Sequence, residues 1–322
     1  ALLLRVRTLL DENYANPAYR EVMDRAHALA PQVQTPEVRA FLEGMMGQVL
    51  RSADEYAAAV ELASGSVAPL EAAGRVGEAG FNAAITADVE ASRGHFEEAD
   101  QWITRAADLA AASGNPNVIA DVELMKGRIA AARGELATAL AHTRLGMETA
   151  EGAGNIQCTL VGNFLVADQV LRGGDAEAAI PYLERTFELG AYCNAEAMVA
   201  LGHAWLAAAQ ARLGELDPDG FATPLEKARA AGSRSGEASV RLHRAIAIAG
   251  TSPDDWGSTF LDFERAIALF ADIGARPDQA RALHAYANAL EAAGQTTDGQ
   301  AKLAEALTMF DEMGITPDRV AA

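Results

Sequence analysis

Glycine returns in this chain at a fixed stride. Gly94, Gly134, Gly174, Gly214 and Gly294 stand 40 positions apart or twice that, and Gly74, Gly114, Gly154, Gly274 and Gly314 form a second series offset by 20. A fixed period of this length is the mark of a stacked repeat and overrides the two-domain estimate that 322 residues would otherwise invite. Glycine is the residue that best tolerates the left-handed backbone at a helix C-terminus. Each repeat is therefore predicted to hold two helical arms, each stopped by one glycine.

The residues between the stops carry the same phase. Gly47, Ala87, Gly127, Ala167, Ala207, Ala247 and Ala287 are in register and all small, as are Ala99, Ala139 and Ala179, and then Ala106, Gly146, Ala266 and Ala306, in the second arms. Small side chains at equivalent places are needed where helices approach to about 8–10 Å. Aromatic residues make up only 6% of the chain while alanine is abundant, which favours close helix packing over a sheet core. An ordinary helical bundle would have no reason to keep a period. The expected class is all-α, a solenoid of about seven hairpins.

In the last repeat Leu283, Tyr286, Ala287, Leu290, Gly294 and Ala306 fall where the tetratricopeptide consensus has large, large, small, large, glycine and small residues. The sequence over about 35–314 thus resembles a tetratricopeptide-like superhelix, although Thr86 and Lys126 stand where Tyr286 places a ring. The 40-residue period exceeds the usual one and implies longer arms. Long repeats of this kind, and the stretch from Ala280 to Gly314, are similar to the C-terminal sensor regions of maltose-activator-type (STAND) and cyclase-linked bacterial regulators.

The glycine series divide the chain into hairpins near 35–74, 75–114, 115–154, 155–194, 195–234, 235–274 and 275–314, after a partial or capping repeat at 1–34 and before a tail at 315–322. Asn16-Pro17 is an expected helix start and Pro31 an expected stop. Two segments break the pattern. LDPDGFATP, from Leu216 to Pro224, should delay a second arm until Thr223, with Pro224 at its first helical position, and TSPDDW, from Thr251 to Trp256, replaces a glycine while keeping register. Stability is expected to be a sum of repeat and nearest-neighbour terms.

The net charge of −19 disfavours nucleic acid and anionic lipid as partners of this chain. No apolar run approaches the ~20 residues of a membrane span, and Arg5 and Arg7 interrupt the short apolar start, so neither signal peptide nor anchor is expected. Two cysteines make no disulfide framework and point to a reducing, cytoplasmic setting, with Cys158 and Cys193 as ordinary thiols unless the hairpin brings them together.

A search for reaction chemistry finds little. There is no phosphate-binding loop with a following lysine, no HExxH and no CxxC. Gly232-Ser233-Arg234-Ser235-Gly236 lacks the strand that a nucleophile elbow needs and is expected to be a turn. His203 and His243 are in phase, but a metal site would need a third ligand. No catalytic residue, metal or cofactor is assigned.

In tetratricopeptide superhelices the first arms line the concave groove, and positions 2, 5, 6 and 9 of those arms meet the partner. The resemblance maps these onto Arg241 and Arg244 in one repeat and Arg281, His284 and Asn288 in the next. Such a cluster resembles the carboxylate clamp of peptide-binding members, since arginine grips carboxylate or phosphate bidentately. The competing reading pairs these charges with nearby acids. A second set in phase, Asp88, Arg128 and Asp168, alternates in sign and is expected to be either an ion-pair ladder or a polar lining. Trp102, Trp205 and Trp256 are isolated aromatics; Trp205, on a first arm, is placed to reach the groove, but packing between helices is the commoner fate of a tryptophan at such a position.

The expected function is a non-catalytic module binding a protein, a peptide or a small effector, an anionic group being a natural feature of the ligand. It would serve as the sensor or interaction region of a bacterial signalling or transcriptional regulator. A structural adaptor or oligomerisation scaffold is the alternative, and an α-helical enzyme a third, for which no converging acids, nucleophile or ligands can be assembled.

Overall fold

The computed structural model describes residues 17–193, 195–251 and 256–315. Within these lie fifteen α-helices, two short 3₁₀ turns and no strand. After α1 (Pro17–Leu29) the helices alternate as first and second arms. The first arms are α2 (Pro36–Ser52), α4 (Val76–Ser92), α6 (Pro116–Ala132), α8 (Ile156–Arg172), α10 (Glu196–Arg212), α12 (Arg234–Ala249) and α14 (Arg276–Ala292). The second arms are α3 (Tyr56–Ala72), α5 (Phe96–Ser113), α7 (Leu136–Gly152), α9 (Ala176–Cys193), α11 (Ala222–Ala230), α13 (Gly257–Ile273) and α15 (Thr296–Met313). Asn16, most of the TSPDDW segment and the tail beyond Ile315 fall outside the described residues.

The joints have the chemistry that the glycines imply. At Gly94 the backbone has φ +83°, and the next residue, His95, returns its N–H to Glu90 O at 2.9 Å. The same closure recurs from Glu135 to Ala130 O at 2.9 Å and from Gln295 to Leu290 O at 2.8 Å, satisfying carbonyls that a helix end leaves without partners. At the starts, Asn115, Asn155 and Ser233 accept backbone N–H groups through their side chains.

The series of small residues is buried along its whole length. Inside a hairpin the approach leaves no room for more: a Cβ on Gly127 would stand 3.1 Å from Ala139 O, and one on Gly146 2.9 Å from Leu124 N. First arms are inner helices, buried in α4 at every residue from Asn82 to Ala91. Second arms are outer and bury one stripe, as α5 does with Phe96, Ala99, Ile103, Ala106 and Leu109.

The irregular fifth hairpin differs slightly from expectation. A 3₁₀ turn at Pro218–Phe221 precedes α11, which begins at Ala222, so Pro224 is its third residue. Proline is tolerated there because first-turn N–H groups have no helical acceptor. Phe221 is wholly buried and fills the space of the missing turns. In the first segment the α-helix ends at Leu29, and Pro31 lies in the short 3₁₀ turn that follows.

Stacking does not stay one-dimensional. The sixth and seventh hairpins meet the first three. Asp54 occupies the place a glycine holds in later repeats and is the sole non-glycine residue with positive φ (62°) among the described residues. Its carboxylate accepts the N–H of Ser235 at 2.9 Å, and its carbonyl accepts the Arg234 guanidinium at 3.0 Å. A carboxylate from the first hairpin thus caps the start of α12, 181 positions away. Burial raises the Asp54 pKa, opposed by the Ser235 bonds. Arg281 of α14 donates to Ala131 O at 3.0 Å and also to Ala132 O, at the end of α6. Leu283, Phe310 and Met313 join one apolar cluster with Val49, Ile85 and Ile129.

We expect Asp54→Gly, which keeps the turn but deletes the cap, to lower unfolding free energy by about 1–2 kcal/mol in urea titrations. Asp54→Asn keeps an acceptor and removes a charge that burial disfavours, so at neutral pH it should be no less stable than the parent. A loss for Asp54→Asn equal to that for Asp54→Gly would mean that the side-chain acceptor at position 54 contributes nothing to the cap.

Candidate binding trough

On the first arms, a strip of half-buried residues interrupts otherwise buried helices. In α6 it holds Asp121 and Arg128; in α8 it holds Val161, Phe164, Asp168 and Arg172. Seven residues are two helical turns, so Asp121 and Arg128 lie about 10 Å apart on one face. α4 has no such strip between Asn82 and Ala91, where every residue is buried, so the inner trough of the superhelix is lined from α6 and α8 and not from every repeat.

The alternating set is only in part a ladder. Asp88 is buried and grips two arginines: Arg128 Nε donates to Oδ1 at 2.6 Å, and Arg51 Nε to Oδ2 at 2.6 Å. Burial alone would raise the Asp88 pKa, but the two guanidiniums outweigh it and hold the carboxyl below its ordinary value. The ladder is therefore Arg51–Asp88–Arg128, across three first arms. Asp168 does not extend it: it accepts Trp205 Nε1–H at 2.8 Å and stands 3.7 Å from Arg172. Arg51 was missed because it is three residues past the row that holds Gln48 and Asp88, and only its reach brings it back.

The basic cluster is taken up internally. Arg241 and Arg244 both close on the buried Asp262 of α13, at 2.6 Å each, and Arg241 also meets Glu237 at 2.8 Å. A carboxylate buried this deeply requires cationic partners, and it draws both side chains toward the second arm. Arg244 also borders a shallow depression of about 560 Å³ over α11, with Leu225, Glu226 and Arg229. The two arginines are therefore paired as the competing reading had it. Arg281 spans from Asp278 at 3.0 Å to the α6 carbonyls. His284 meets the Phe310 ring edge-on at 6.4 Å, and Asn288 is exposed.

The in-phase histidines do not converge. His203 stacks on Phe187 at 4.3 Å, whereas His243 packs on Trp205 at 4.2 Å, where burial lowers its pKa to about 4. Among the described residues no three His, Cys, Asp or Glu side chains could hold a metal ion. Trp205 is an inter-repeat bridge, touching Phe164 and His243 as well as Asp168, and Trp256 packs on Phe260. Ser233 and Ser235 belong to a capped turn, as their context implied. Both cysteines are free thiols, and Cys158 donates to Asp121 at 3.0 Å.

Two further features were not foreseen. Arg172 donates to Ala131 O at 2.7 Å and Arg212 to Leu171 O, each bond reaching back 41 positions to the end of the preceding first arm. Beside α11 a cleft of about 250 Å³ is lined by Ala200, Leu201, Pro224 and Ala228, with Lys227 3.8 Å from Glu196.

A Rap protein solved in complex with competence and sporulation factor superposes over 97% of this chain and 86% of its own, with a TM-score of 0.75 at 12% identity. The fold is a tetratricopeptide-like superhelix. At that identity the two chains share a winding of helices and nothing finer. BtubC from P. vanneervenii also matches, at 16% identity over 84% of this chain and 96% of its own, with a TM-score of 0.37. No family model matches the sequence, and no curated protein resembles it at a significant level. Among the described residues no helix is long and apolar enough to cross a membrane.

Asp121 gives a test of the trough's interior. Burial raises its pKa to about 6, and Cys158 offsets this only in part. A carboxyl with a raised folded-state pKa favours folding when protonated, and that contribution is lost as pH climbs from about 4 toward 6. At neutral pH the charged group is a cost. Asp121→Asn should therefore be more stable than the parent by roughly 1–3 kcal/mol at pH 7.5, the gain vanishing below about pH 4. A melting-temperature difference independent of pH would overturn this.

Proposed function

We propose that this chain is a non-catalytic binding module whose inner trough receives a peptide or an extended segment of a partner protein. The observation that carries the reading is the strip of half-buried side chains, polar and apolar, on the neighbouring first arms α6 and α8 of the superhelix. A strip of this kind offers directional contacts to an elongated ligand lying across several repeats. The fold shared with a Rap protein that holds competence and sporulation factor supports the same use. So does the chemistry of the interior: its carboxylates and histidines are spent on arginines, a tryptophan, a thiol and ring packing, not gathered round a common point. The module fits the sensor or interaction region of a bacterial signalling or transcriptional regulator, acting in the cytoplasm, where Cys158 and Cys193 would stay thiols.

A scaffold role has one feature in its favour. Tyr192 is 78% exposed and Leu261 65% exposed on outer second arms, apolar surface that a second chain could cover.

The test is affinity selection from a mixed synthetic peptide pool, followed by thermal unfolding with each retained peptide. A trough ligand at a hundred times its Kd should stabilise the chain by about 2.7 kcal/mol. Retention of no peptide, together with a concentration-dependent dimer, would replace this reading with the scaffold.

A further inference from the structure

The fifth hairpin packs differently from its neighbours. Its second arm, α11, has nine residues, where the other second arms have 17 or 18. It is also out of register. Ala106, Gly146, Thr186, Ala266 and Ala306 are in phase and buried, yet Glu226, in the same row, is exposed. The row that elsewhere brings two arms together is therefore turned away here, and a cleft of about 250 Å³ opens between α10 and α11.

The walls of this cleft and its rim differ in chemistry. Ala200, Leu201, Pro224 and Ala228 are apolar, and all but Leu201 are buried. The charged residues that line it are Glu196, the first residue of α10, and Lys227 of α11, with carboxylate and ammonium 3.8 Å apart. At that separation they share no hydrogen bond, and both side chains are exposed, so the pair does little for stability. Ser233, also on the lining, is engaged as the cap of α12, its Oγ accepting the Gly236 N–H at 3.1 Å.

Volume and charge together describe an occupant. The cleft is smaller than the roughly 300–1,000 Å³ of pockets that hold drug-sized ligands, so it suits a short apolar group and not a peptide or a partner helix. The rim pair is a dipole, and its complement is a carboxylate beside Lys227 with an ammonium beside Glu196. Those two charges complete a square of alternating sign and leave the existing contact in place. An α-amino acid carries both groups on a single carbon, with its side chain free to enter between the arms. We propose that this cleft binds a free aliphatic α-amino acid, its carboxylate on Lys227, its ammonium on Glu196 and its side chain against Ala200, Leu201, Pro224 and Ala228. Burial of the side chain supplies most of the affinity, and the rim charges supply selection. The site lies on other helices than the trough strips of α6 and α8, and it stands or falls independently of the trough reading.

The test titrates the whole chain calorimetrically with L-valine, L-leucine, L-isoleucine and L-methionine, then with the deaminated acid and the decarboxylated amine of whichever binds best. At least one amino acid should bind saturably with a Kd of about 1 mM or tighter, and each one-charge analogue about tenfold more weakly or worse. Glycine, which has both charges and no side chain, should lose a similar factor of about ten. Lys227→Ala and Glu196→Ala should each weaken binding about fivefold or more with helical circular dichroism intact, since both side chains are exposed. Ala197→Trp, from an exposed position on the lining, should block the cleft and abolish binding; should that variant fail to fold, the two rim variants decide. Three results would each overturn the proposal: no saturation by any of the four amino acids below about 10 mM, equal affinity for either one-charge analogue, or a Kd unmoved by the rim substitutions.

Discussion

The close approach of the two arms within each hairpin governs everything else in this structure. Gly47 and Gly127 lie so near Ala63 N and Ala139 O that the addition of one carbon would push backbone apart. Because a glycine or an alanine stands at every fortieth residue of this row, each hairpin meets the next in a similar way, and side chains in phase occupy equivalent places. Inner helices sandwiched between their own second arm and the preceding repeat have one strip left over. That strip is the trough, so its position follows from packing before any polar residue is chosen for it.

A constant stride also accumulates rotation, and here the rotation brings the last hairpins back onto the first. The joints that result use the same parts as the joints between neighbours. Ala131 O accepts from Arg172, one repeat on, and equally from Arg281, 150 positions away. Asp54 caps α12 as Ser233 does from within its own turn. Long-range contacts of this kind couple the ends of the array, so its stability is more than a sum over neighbouring repeats, contrary to what the period alone implies. They also tie trough and closure together, because Arg281 belongs to both.

The repeat class was legible because periodicity is a property of the sequence itself: the glycine turns, the small positions and the paired arms all follow from phase. The row of Asp88, Arg128 and Asp168 was legible as a phase, and its first two members do pair. Partners were not. Arg241 and Arg244 were placed by their row, yet Asp262, on the other arm, decides where they point. A long side chain can reach any acid within several ångströms, and helical phase says nothing about which. Closure was invisible for another reason, since it depends on small rotations summed over five repeats. One clue did exist: aspartate at 54 interrupts a glycine series, and a residue that accepts left-handed backbone at a cost usually has a second task there.

The pairing of buried carboxylates with partly exposed arginines has its own logic. Interior charges must be paired, and a lysine spends its single ammonium on whatever it meets, whereas arginine offers separate edges. Arg128 holds Asp88 through Nε, and Arg172 holds a helix end. The bonds that hold the repeats together therefore also fix how these side chains lie along the trough.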